Sequence, residues 1–86
     1  MELKKSLSDI HDALKGIIKI EKDKVVVQDA NKLRNTADWL VYNAVFNSDK
    51  EIKANCRWII KSAASAMGIQ SASIQGLYEA MGRGEV

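Results

Sequence analysis

His11 is the only histidine of the 86-residue chain, and it stands close to Asp9 and Asp12. Imidazole beside carboxylate is the pairing from which proton shuttles and metal sites are assembled. A metal site needs three or four ligands, and the sequence offers neither a second histidine nor a cysteine pair to complete one. His11 therefore reads as part of a solvated helix face. Cys56 is also alone. It can form no internal disulfide, and its neighbours Trp58, Ile59 and Ile60 predict a buried small side chain rather than an accessible thiolate. The carboxylate pairs Asp9/Asp12 and Asp49/Glu51 fall at expected helix starts, where the helix dipole favours negative charge without any catalytic role. "GRG" at 82–84 lacks the preceding strand, the lysine and the following helix of a phosphate-cradling loop. The sequence thus assigns this chain no catalytic residue, no metal ligand and no cofactor site.

The elements that would carry such residues are mostly helical. Leu3, Leu7, Ile10, Leu14 and Ile17 repeat on one stripe and predict a first helix over 3–16. Residues 17–27 stay open between a continued helix and a short hairpin, because β-branched residues flank a Lys-Asp-Lys turn. Asp29 caps a second helix over 29–46, with Ala30, Leu33, Ala37, Leu40, Val41, Ala44 and Val45 on its apolar face. "SDKE" at 48–51 reads as a capping box in which Ser48 and Glu51 exchange side-chain bonds to each other's amides. It opens a third helix to Met67, with Gly68 as its stop. Ser71 or Ser73 caps a fourth helix over 72–81, with Ile74, Leu77, Tyr78 and Met81 in register. The expected fold class is all-α: a small bundle of about four helices with a helix-turn-helix-like corner. Leu33, Leu40, Ala44, Ile52, Ile59, Ala63, Ile74 and Leu77 should be buried together. Residues 1–82 form the single domain, and "GRGEV" leaves it as a connector through 83–86.

Composition narrows the functional classes. With 47% hydrophobic and 28% charged residues the chain has the means to build a core, which excludes an intrinsically disordered tail. Thirteen basic and eleven acidic residues give a net charge of +2, spread in both signs, so bulk charge names no partner. The sequence lacks a membrane-length apolar run, its start "MELKKSLSDIHD" lacks the core of a signal peptide, and the lone cysteine suits a reducing compartment; a cytoplasmic protein without membrane contact is expected.

Two surfaces remain as binding candidates. Trp39, Tyr42, Phe46, Trp58 and Tyr78 all lie on helices, and two indoles strain the interior of so small a domain. Trp39 and Trp58 are the candidate docking patch, with a second core layer as the alternative. "AASAMGIQSASIQGLYEAM" at 63–81 has Ala64, Gly68, Ile69, Ile74 and Leu77 at helix-turn-helix spacing. As a DNA reader it would use Arg57, Lys61, Gln75 and Arg83. Its second helix has no lysine or arginine and carries Glu79, so nucleic acid is disfavoured.

From about Leu33 to Val86, and above all in "LVYNAVFNSDKEIKANCRW" and "MGIQSASIQGLYEAMGRGEV", the chain resembles the N-terminal helical region of class II fructose-bisphosphate aldolase-like proteins. In that family the stretch similar to "SIQGLYEAMGRGEV" leads into the catalytic (β/α)8 barrel. The resemblance implies a non-catalytic accessory domain that packs on a downstream barrel or on another subunit, a second copy of this chain included. The divalent metal of such enzymes is implied only for the barrel, whose histidine ligands are not in this sequence. The helix-turn-helix DNA-binding module is the alternative.

Overall fold

Each helix begins where a short polar side chain can take the free amides of the first turn. In the computed structural model, which describes residues 6–82, Ser6 accepts from the Asp9 amide at 3.1 Å and opens α1 (Leu7–Ala13). Asp29 accepts from the Lys32 amide at 3.0 Å and opens α2 (Ala30–Phe46). Asp49 takes the amides of Glu51 and Ile52 at 2.9 and 3.2 Å and opens α3 (Lys50–Ala66). Ser73 Oγ accepts from the Gly76 amide at 3.0 Å at the start of α4 (Ile74–Gly82).

Two expectations change in detail. The first helix is shorter than 3–16: its cap is Leu14, and Gly16 turns the chain away with a φ of 81°. Leu3 and the connector at 83–86 lie outside the described residues. The cap of α3 is Asp49 and not Ser48, which is exposed. The reason is Asn47, whose Oδ1 accepts from the Asp49 amide at 2.8 Å and holds the turn one residue further on.

Residues 17–27 resolve in favour of the hairpin. Strand β1 (Ile18–Glu21) pairs antiparallel with β2 (Lys24–Val27), from Ile18 opposite Val27 to Glu21 opposite Lys24. The reversal takes two residues, and Lys22 adopts a left-handed φ of 53° to make it. Ile18 and Val25 are buried, and β2 packs on α3.

The core lies where α2, α3 and α4 meet, with α1 and the hairpin closing the α3 side. All eight residues expected to be buried together are in it: Leu33, Leu40, Ala44, Ile52, Ile59, Ala63, Ile74 and Leu77. Between α3 and α4 the chain makes a Schellman turn. The Gly68 amide donates to Ser65 O at 3.1 Å, the Ile69 amide to Ala64 O at 2.8 Å, Gly68 takes a φ of 76°, and Ile69 folds into the core. Over the described residues the fold is a small, mostly α-helical domain of four helices and one hairpin. Among the described residues no helix is long and apolar enough to cross a membrane.

Candidate functional site

The apolar face of α2 is wider than its core stripe. Leu33, Ala37, Leu40 and Ala44 point inward, which leaves Tyr42 and Phe46, one helical turn apart, on the outer side. Their rings meet at a centroid separation of 5.2 Å and a tilt of 46°. Tyr42 is 44% and Phe46 67% exposed, the largest exposure of any big hydrophobic side chain described. The pair joins Val41 and Asp38 of α2 and Gln75 and Tyr78 of α4 around a shallow pocket of about 170 Å³. A ring pair open to water beside a concave seam between two helices is the chemistry of protein docking.

Trp39 and Trp58, the sequence-based candidates, are both half-buried and pack against the core. Trp39 is not among the residues lining the depression that holds Trp58. Trp58 lines a second depression, of about 400 Å³, along the outward side of α3, with Lys50, Lys53, Ala54, Arg57 and Lys61 around it. These residues recur at intervals of three and four and so lie on one helix face. Arg57 and Lys61, candidates for phosphate contact, are therefore brought together, and Lys50 and Lys53 join them. Gln75 belongs to the other pocket, where its Nε2 donates to Glu79 Oε1 at 3.4 Å. Arg83 lies outside the described residues.

The groups that could do covalent chemistry are placed otherwise. Cys56 is fully buried, and desolvation pushes its thiol from 9.0 up to about 11, so it stays protonated and shielded at neutral pH. His11 is exposed in the last turn of α1. Among the described residues no three side chains of metal-ligating type come together. In the corner itself the hydroxyls are used internally: Ser71 Oγ donates to Ser73 O at 3.3 Å and accepts from the Ser73 amide at 3.4 Å, while Ser73 Oγ caps α4.

A buried polar ladder escapes the sequence reading. Asn43 Nδ2 donates to Trp39 O at 2.9 Å, Asn47 Nδ2 donates to Asn43 Oδ1 at 2.8 Å, and Asn47 Oδ1 accepts from the Asp49 amide. Both asparagines are buried, and together they tie the end of α2 to the cap of α3. The only hint in the sequence is that Asn43 falls beside Ala44 on an apolar face. Asn55 Oδ1 of α3 is buried with no hydrogen-bond partner.

Two surfaces thus stand out, an aromatic seam between α2 and α4 and a cationic groove on α3. No family model matches the chain, and neither a curated protein nor a solved structure matches it.

Proposed function

We propose that this chain is the non-catalytic helical accessory domain of a class II fructose-bisphosphate aldolase-like enzyme, docking through the Tyr42/Phe46 seam. The supporting sequence argument is the resemblance over Leu33 to Val86. The observation that carries the reading is the exposed ring pair, because it borders α4, the element that the resemblance sets next to the barrel. Covering Phe46, Tyr42 and Val45 with a partner surface removes apolar area from water at roughly 25 cal/mol per Å². Rigid aromatic anchors beside a concave seam concentrate that gain in a few side chains. The partner is the downstream barrel or another subunit, and the reading places the domain in the cytoplasm with its enzyme.

The domain's contribution is binding and positioning. The divalent metal of ketose phosphate cleavage is assigned to the barrel, because the single histidine of this sequence cannot supply the histidine set that such a metal takes. That chemistry belongs to the barrel. The helix-turn-helix alternative has its corner, but among the described residues α4 carries no cation to steer it into a groove of duplex DNA.

The coding sequence beyond Val86 tests the reading. An open frame encoding a (β/α)8 barrel with metal-binding histidines is expected, and a stop codon directly after Val86 overturns it.

A further inference from the structure

The cationic groove of α3 is not used by the docking reading, and its composition asks for a different ligand. Lys50, Lys53, Arg57 and Lys61 follow one another along the outward face of the helix with Trp58 among them. From Lys50 to Lys61 the row rises about 16 Å at 1.5 Å per residue, long enough to follow several phosphodiesters. Among the described residues the only ion pair is Lys19–Glu21, at 3.2 Å, and none of the four cations is ion-paired with a described carboxylate. Four cations on one face of a domain with a net charge of only +2 give this face of α3 a local excess of positive charge.

We infer that this face of α3 binds single-stranded nucleic acid, the cations tracking the phosphates and Trp58 stacking on a base. The indole decides between polyanions. A cationic row alone would accept any of them, but an aromatic side chain lining the same groove rewards a ligand that carries ring faces as well as charge. Duplex DNA keeps its bases stacked inside and offers the indole only backbone. An acidic peptide supplies carboxylates without a base to stack. The groove is open and shallow, with charges spread along it rather than gathered round one point, which suits a polymer over a mononucleotide. This inference is independent of the docking surface, because the Tyr42/Phe46 seam lies on α2 and α4.

Fluorescence anisotropy of a labelled oligothymidylate or oligouridylate against the full chain tests it, with duplex DNA, a mononucleotide and polyglutamate as competitors. With four phosphates neutralised, affinity should fall about fifty-fold between 50 and 200 mM salt, from a slope of roughly −0.7 per phosphate. Lys53→Ala with Arg57→Ala should reduce that dependence to about sevenfold by the same slope, while circular dichroism stays unchanged. Because Trp58 also touches the core, stacking is read without removing it: in a Trp39→Phe background the remaining indole emission should be quenched as the single strand binds. Any of three results would overturn the inference: no single-strand binding at low salt, competition by duplex or polyglutamate as strong as by single strand, or saturation without quenching of Trp58.

Discussion

At the scale of single residues, burial decides what each reactive group can do. Cys56 has an ordinary enough sequence context, yet its complete burial raises the thiol to about 11. In the unfolded chain it ionises near 9.0, so over the window from there to about 11 the unfolded state has lost a proton that the native state retains. Stability is therefore whole below the unfolded value and falls as pH rises through the window, by roughly 3 kcal/mol for a shift of two units. Urea denaturation at several pH values between about 8 and 11 should show this loss in the wild type and a shallower one in Cys56→Ala. Equal slopes would mean that the thiol is hydrated in the native state. Burial of Cys56 was legible from its isoleucine neighbours. The Asn43–Asn47 ladder was not, because periodicity marks which positions face inward but says nothing of whether an amide there finds partners. Asn43→Ala leaves the buried Asn47 amide without its acceptor and should cost roughly 1–3 kcal/mol in a urea melt. A change within a few tenths would show that water replaces the missing bond.

At the scale of elements, caps and turns account for where sequence reading succeeds. Asp29 and Gly68 act through local bonds with fixed offsets, so their roles are visible in a window of a few residues. Ser48 failed as a cap because Asn47, committed to both Asn43 and Asp49, moves the turn along by one. The hairpin could not be chosen over a helix from β-branched residues alone; packing of β2 on α3 decides it. In the first turn of α4 Gly76 lies under the serine hydroxyls of the corner, where an added Cβ would meet Ser71 Oγ and crowd Ser73 Oγ at 3.1 Å. Gly76→Ala should accordingly fall short of the gain that the better helix propensity of alanine offers, because Ser71 Oγ must rotate away from its bond to Ser73 O. Adding Ser71→Ala should return part of the shortfall, since Ser71 Cβ at 3.4 Å is an ordinary neighbour. Thermal melts of the two single variants and the double variant complete the cycle, and strict additivity would count against the collision.

At the scale of the whole molecule, the fold was the legible part and the binding surfaces were not. Eight core residues could be named in advance because burial in a helical bundle follows a period of 3.6. The same period leaves open which leftover aromatics are covered, since that depends on how neighbouring helices cross. Trp39 and Trp58 end half-buried, while Tyr42 and Phe46 carry the exposure. Likewise Arg57 and Lys61 were visible as candidates, and the helix expected to run to Met67 already sets Lys50, Lys53, Arg57 and Lys61 at successive spacings of three and four, with Trp58 three before Lys61; the structure adds that these side chains line one depression. Under the two proposals the surfaces have separate tasks, docking on one side and single-strand binding along another. Of these, docking is the claim on which the functional account rests. Hydroxyl-radical footprinting of Phe46, in the 86-residue chain by itself and joined to the barrel that the proposal places after it, tests it directly. The account predicts strong labelling of Phe46 in the chain by itself and marked protection when the barrel is attached; equal labelling in both would contradict it.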